Sequence, residues 1–234
     1  MKVEVLFPEI CNLYGDIQNM EYLKKCLPEA EFINTTLREE PKFVEEQVNL
    51  IYLGSMKERT QEKVIQKLLP HKARIQELIE NNTVFLFTGN ALEVFGNYIE
   101  NEDGTKIEAL GIFDIYAKRD MYHRYFGAVL GEFADIDMVG FKTTFSFSYG
   151  ENKENYFVKV NKGIGMNKQS KLEGIRQNNF FGTYLIGPIL IMNPLFTKHI
   201  IELMGEKNPK LAFEEEIMEA YEDRLKDFKS DKIK

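Results

Sequence analysis

Short apolar runs alternate with amphipathic stretches through the first hundred residues. Val3–Phe7, stopped by Pro8, reads as a first strand. A loop from Pro8 to Gly15 leads to Asp16, a predicted helix N-cap, after which Ile17, Met20, Tyr22, Leu23 and Leu27 recur at near-helical spacing until Pro28. Glu31–Thr35 and the fully apolar Leu50–Leu53 read as the second and third strands. From Thr60 to Glu80 the apolar positions Val64, Leu68, Leu69, Ile75, Leu78 and Ile79 predict one helix or two, broken near Pro70. Thr83–Phe87 reads as a further buried strand that turns through Thr88, Gly89 and Asn90 into a helical Ala91–Phe95. Strand and helix alternating at this spacing predict an α/β fold whose mostly parallel central sheet is covered by helices on both faces.

The second half predicts an antiparallel extension. Asn101-Glu102-Asp103-Gly104 is a hairpin turn signal, followed by alternating segments at Tyr122–Phe126, Thr143–Tyr149 and Tyr156–Val160. Gly163, Gly165, Gly174, Gly182 and Gly187 read as loop punctuation. Asn193-Pro194 opens a helix expected to run through Met204. Phe213, Ile217, Met218, Tyr221, Leu225 and Phe228 then mark an amphipathic helix expected to pack on the domain. The expected division is a domain over residues 1–205 and a charged helical tail over 206–234.

Composition narrows the function classes. The chain has 234 residues, 30 Lys and Arg against 37 Asp and Glu, and a net charge of −7, which argues against a nucleic-acid binder. No apolar run approaches the roughly 20 residues that span a bilayer. The N-terminal Met1-Lys2-Val3-Glu4-Val5 lacks a signal-peptide core, and two cysteines, Cys11 and Cys26, are too few for a disulfide framework. These features predict a cytoplasmic protein. No metal-ligand cluster and no dinucleotide or Walker glycine loop is present, so no cofactor is expected.

The junction Val84-Phe85-Leu86-Phe87-Thr88-Gly89-Asn90-Ala91 has the build of a nucleophile elbow, a tight strand-to-helix turn that lifts one side chain above the end of a sheet. Other segments accompany it in order: Asn12-Leu13-Tyr14-Gly15-Asp16 with Asn19; Ile51-Tyr52-Leu53-Gly54-Ser55-Met56-Lys57-Glu58-Arg59; Gly111-Ile112-Phe113-Asp114; Gly140-Phe141; Gly163-Ile164-Gly165-Met166-Asn167 with Glu173-Gly174; and Gly182-Thr183-Tyr184-Leu185-Ile186-Gly187-Pro188 before Asn193-Pro194. Together, over roughly residues 1–204, they resemble the class I glutamine amidotransferase domain of the cobyric-acid-synthase (CobB/CobQ-like) type. Within that family they point to the small glutaminase subunit of lipid II isoglutaminyl synthase. The resemblance implies a three-layer, flavodoxin-like α/β fold. It also implies a Mur-ligase-like synthetase partner, to which such a subunit feeds ammonia for amidation of peptidoglycan stem peptides.

The family's reacting groups are replaced. Its elbow carries Cys-Gly-Gly, matched here to Thr88-Gly89-Asn90; its histidine base in Gly-Thr-Tyr-Leu-His-Gly-Pro is matched by Ile186; and its glycine-rich oxyanion loop ending in Gln is matched by Gly54, Ser55, Met56 and Lys57. A thiolate is intrinsically nucleophilic, whereas a threonine hydroxyl needs a base that isoleucine does not supply. General-base assistance is worth roughly a hundred- to ten-thousand-fold, so glutaminase activity is expected to be negligible. No proton acceptor is expected beside Thr88.

Residues expected to bind a ligand such as glutamine in the surviving cleft are Gly54, Ser55, Lys57, Thr88, Gly89, Asn90 and Asn167, with Glu58 and Glu93 as candidates for an amine and Glu173 in the flanking loop. His71, His123 and His199 read as structural, His71 at a surface or cap, His123 as a cross-strand residue and His199 on a helix. Phe145, Phe147 and Tyr149 fall on one strand face, either core or a partner contact. Three functions stay open: a catalytically degenerate subunit that binds and regulates a synthetase, a hydrolase or transferase with Thr88 or Cys11 as nucleophile, and a ligand-sensing module.

Overall fold

Val3 and Val5 alternate with Glu4 in β1 (Lys2–Leu6), and all three are buried, as expected of a strand covered on both faces. This is a computed structural model describing residues 1–230, so the last four residues of the expected tail lie outside the described residues. The first half continues as α1 (Gln18–Cys26), β2 (Glu31–Thr35), β3 (Leu50–Leu53), α2 (Glu58–Leu68), α3 (Lys72–Glu80) and β4 (Val84–Thr88). A short 3-10 turn over Leu69–His71 separates α2 from α3, at Pro70 where the break was expected. A second 3-10 stretch, Gly89–Phe95, follows β4 directly.

The second half is made of β5 (Tyr98–Glu100), β6 (Lys106–Glu108), β7 (Ile115–Arg119), β8 (Tyr125–Phe133), β9 (Ile136–Thr144), β10 (Ser146–Gly150), β11 (Val158–Lys162), β12 (Leu172–Glu173), β13 (Ile175–Gln177) and β14 (Phe180–Thr183). Three helices close the described chain: α4 (Ile189–Met192), α5 (Pro194–Leu203) and α6 (Glu214–Lys229). The central sheet runs β13-β14-β4-β3-β1-β2 and is parallel except at β13–β14. Two further four-stranded sheets, β10-β7-β5-β6 and β12-β11-β8-β9, form the extension, the latter antiparallel throughout.

Apolar side chains cover both faces of the central sheet. On one, Phe85, Phe87 and Phe180 meet Phe95 and Phe113 together with Val64 and Leu68 of α2 and Ile75 of α3. Phe87 and Phe95 pack edge to face with ring centroids 4.6 Å apart. On the other face, Val3, Leu50, Tyr52, Leu86 and Phe181 meet Met20 and Leu23 of α1 and Phe196 and Ile200 of α5. α6 lies against the β8–β9 sheet, with Phe228 packed on Phe141 at 5.5 Å and Tyr221 donating to the Asp137 carbonyl at 2.7 Å.

Four local expectations change. Asp16 does not cap α1, which starts at Gln18 after Ile17; its carboxylate accepts instead from the Ser55 amide at 2.8 Å, so a contact between loops takes the group. Tyr122–Phe126 is not one strand, because Tyr122 projects from a turn at 83% exposure and β8 begins at Tyr125. Thr143–Tyr149 is divided at Phe145, where the chain passes from the antiparallel β12-β11-β8-β9 sheet to the β10-β7-β5-β6 sheet. Gly182 is not loop punctuation: it sits within β14, where an added Cβ would lie 2.7 Å from Leu92 Cδ1.

Candidate functional site

The carboxyl ends of β1, β3 and β4 converge on the strand-to-helix corner. Thr88 is extended (φ −117°, ψ 151°), whereas Gly89 has φ +61°, the left-handed backbone that costs an L side chain strain. The corner residue of the elbow is therefore Gly89. A Cβ placed there would lie 3.6 Å from Ile186 Cγ2 and 2.5 Å from Ser55 Cβ. Position 89 thus faces position 186.

Thr88 points beneath the corner and is fully buried. Its hydroxyl donates to Asp16 Oδ2 at 2.9 Å and lies 3.2 Å from the Tyr52 hydroxyl, which donates to the Asp16 carbonyl at 2.8 Å. Asn19 Nδ2 donates to the Tyr52 hydroxyl at 3.2 Å. The expectation that no proton acceptor stands beside Thr88 is corrected: a carboxyl group is there. Burial raises the Asp16 pKa, against the opposing effect of its bonds to Ser55 and Thr88. Asp16 Oδ1 has no partner among the described residues.

The loop after β3 is tied at two successive amides. The Ser55 amide goes to Asp16 Oδ2, and the Met56 amide goes to Asn90 Oδ1 at 2.9 Å. Asn90 returns a bond from Nδ2 to the Met56 carbonyl at 2.8 Å, and Ser55 Oγ donates to the Leu13 carbonyl at 3.1 Å. Gly54 cannot carry a side chain, since a Cβ there would lie 2.5 Å from the Cys11 carbonyl. In this loop, matched to the family's oxyanion loop, the Ser55 and Met56 amides are both satisfied by the protein's own side chains.

Of the expected ligand-binding residues, Gly54, Ser55, Thr88, Gly89 and Asn90 meet at this corner. Lys57 is exposed and lines a different cleft of about 370 Å³ with Glu9, Asn12 and Thr60. Asn167 is used locally, donating to the Ser148 carbonyl at 2.8 Å. Glu58 lines a surface cleft of about 670 Å³ with Arg59, Glu62, Arg119 and Tyr122. Glu93 is buried and accepts from the Ser146 hydroxyl, from Tyr184 at 2.8 Å and from Gln61 Nε2 at 2.8 Å, so most of its acceptor capacity is used within the protein. On β10, Ser146, Phe147 and Ser148 are all buried, whereas Phe145 and Tyr149 on the Phe147 face are half-buried.

The other candidate nucleophile and bases stand elsewhere. Burial pushes the Cys11 thiol well up, away from a reactive thiolate, and its Sγ rests 3.9 Å from Met56 Sδ. His71 pairs with Glu40 at 3.1 Å. His123 is not cross-strand: it lies in an exposed turn beside Asp120 at 2.9 Å. His199 is packed among Phe133, Phe181 and Phe196, and burial lowers its pKa.

Sequence reasoning missed a buried ion pair. Lys142 Nζ meets Glu173 Oε2 and the Gly165 carbonyl, with the two side chains at 1% and 0% exposure. Glu173 Oε1 also accepts from Thr183 Oγ1 at 2.9 Å and the Tyr184 amide at 2.7 Å. Alternation along β9 was the available signal, since Lys142 shares a face with Met138, Gly140 and Thr144.

Comparison with known proteins fits this architecture. A family model described as the CobB/CobQ-like glutamine amidotransferase domain matches residues 2–193. The chain is 28% identical over 200 residues to the lipid II isoglutaminyl synthase (glutamine-hydrolyzing) subunit GatD of Staphylococcus aureus, covering 84% of this chain and 81% of that one. It is 25% identical to the GatD subunit of Streptococcus pneumoniae, covering 95% and 91%. Among solved structures, a glutamine amidotransferase aligns with a TM-score of 0.55 at 13% identity, covering 87% of this chain and 99% of that one. A second, from Thermotoga maritima, aligns at 0.52 and 12% identity, covering 99% and 86%; both likenesses speak to fold. No described helix is long and apolar enough to cross a membrane.

Proposed function

Because the chain belongs to the CobB/CobQ-like glutamine amidotransferase family, we propose that it is a catalytically degenerate subunit of a peptidoglycan-amidating, lipid II isoglutaminyl-type synthase. In this reading it binds a cytoplasmic Mur-ligase-like synthetase and regulates it without releasing ammonia from glutamine. One observation carries the reading: the corner position facing Ile186 is Gly89, which has no side chain at all. Nucleophile and base are missing together, and residues that act as a unit fail as a unit.

The carboxyl beside Thr88 favours a second reading, in which Asp16 serves as base to a threonine nucleophile. Burial argues against it. Both residues are 0% exposed, so a substrate carbonyl has no open approach to the Thr88 hydroxyl. Approach to within about 3–3.5 Å of a reacting carbonyl is what such attack requires.

The test is co-expression with the host's Mur-ligase-like synthetase, followed by size-exclusion chromatography and an ammonia-release assay on glutamine. The expected result is a stable complex in which this subunit contributes no glutaminase activity. Ammonia release that disappears in Thr88→Val, or a glutamine-analogue electrophile attached to Thr88 by mass spectrometry, would establish the second reading instead. Failure to form the complex would leave a ligand-sensing module as the better account.

A further inference from the structure

We propose that Ser55 occupies the space a side chain at position 89 would need, so that the corner is closed by an exchange of volume between two loops and not merely by loss of a nucleophile. The inference rests on the reading above only in taking position 89 as the corner that faces position 186.

The geometry is specific. A Cβ on Gly89 would stand 2.5 Å from Ser55 Cβ, a separation two carbon atoms cannot hold. The next nearest atoms are Ser55 Cα at 3.4 Å and Ile186 Cγ2 at 3.6 Å, which are ordinary contacts. Removing the Ser55 Cβ alone therefore makes room at position 89. Ser55 cannot easily swing away, because its amide is held by Asp16, its hydroxyl by the Leu13 carbonyl and its carbonyl by the Leu13 amide at 3.1 Å. The neighbouring Met56 is pinned at both backbone groups by Asn90. The side chain at 55 and the bare backbone at 89 are two halves of one packing solution.

A four-protein stability cycle tests this: wild type, Gly89→Ala, Ser55→Gly and the double variant, each unfolded in urea. Strain from the positive φ at position 89 is present in both alanine-bearing proteins and cancels in the cycle. Gly89→Ala is expected to raise the unfolding equilibrium constant strongly in the wild-type background and about tenfold less in the Ser55→Gly background. Equal cost in both backgrounds would overturn the proposal. So would failure of both alanine-bearing proteins to fold, since relief of the collision should rescue the double variant.

A second measurement reads the same corner chemically. In the Gly89→Cys/Ser55→Gly protein, the pH profile of iodoacetamide alkylation at position 89 is followed by peptide mass spectrometry, with and without Ile186→His. The imidazole is expected to lower the apparent thiol pKa by about one unit or more. Identical profiles would mean that positions 89 and 186 do not face one another, again overturning the proposal. The wild-type ammonia assay is independent of both experiments, so glutaminase activity in the natural protein would sink the functional reading while leaving the packing result to stand or fall alone.

Discussion

Two buried polar regions of this molecule solve the same problem differently. At the junction of β9, β12 and β14, the carboxylate of Glu173 is met by a full cation, Lys142, and by two further donors from Thr183 and the Tyr184 backbone. At the corner beneath Gly89, Asp16 is equally buried but receives only neutral donors, the Ser55 amide and the Thr88 hydroxyl, and one of its oxygens has no partner among the described residues. Desolvation shifts both regions toward neutrality, lowering the Lys142 pKa and raising that of Asp16. The junction compensates with opposite charge. The corner compensates with hydrogen bonds, and its loops are held in place by that arrangement. Side chains at the strand-to-helix corner serve here to fasten one loop to the next.

The largest expected effect comes from breaking the compensated region. Lys142→Met should leave Glu173 buried without a cation and cost about 3–5 kcal/mol. Adding Glu173→Gln keeps an acceptor for Thr183 and Tyr184 while removing the charge, and should recover most of that loss. Urea midpoints of the three proteins measure it. A single-variant cost below about 1 kcal/mol would mean that the ion pair is not the organising contact of the junction.

The corner should respond less. Thr88→Val preserves shape and removes the hydroxyl that donates to Asp16. Its cost is expected at about 1–3 kcal/mol, the range for leaving a buried acceptor without its donor. Ammonia release by the synthetase complex should not change. If stability were unaffected, Thr88 would not belong to the network that ties β4 to the loop before α1, and the contrast between the two regions would lose one side.

How much of this was visible in the sequence follows from the range of each interaction. The parallel strands were legible because burial on both faces writes itself as local apolar runs, as in Leu50–Leu53, where all four residues are buried. β14 was not, since Gly182 interrupts its pattern and its place beside β4 comes from pairing with residues more than ninety positions earlier. Ile186 could be located from the motif around it, and the structure sets it against Gly89. The corner itself was read one residue early. A threonine before a glycine looks like a side chain before a spacer, and the sign of φ that makes Gly89 the apex is not written in residue type. The Lys142–Glu173 pair was half legible. Alternation turns Lys142 inward, but a partner 31 positions away is set by the sheet.

A last test sharpens the comparison most, because it depends on charge alone. Asp16→Asn retains an oxygen to accept from Ser55 and Thr88 but cannot ionise. In the wild type, burial raises the folded-state pKa of Asp16 above its ordinary value of 3.8. A raised pKa means that the folded protein binds the proton more tightly than the unfolded chain does. The stability Asp16 contributes is therefore present in full below pH 3.8 and is lost as pH rises through the folded-state value. The variant lacks this loss, so its stability relative to wild type should grow as pH rises from the carboxylate range toward neutrality, by about 1.4 kcal/mol for each unit of elevation. Glu93, whose pKa burial also raises, is present in both proteins and drops out of the difference. Urea melts of the two proteins at matched ionic strength between about pH 4 and 8 would follow the change. If wild type instead gained on the variant with rising pH, the Asp16 carboxylate would be held by favourable charge after all, and the corner would be compensated in the same manner as the junction.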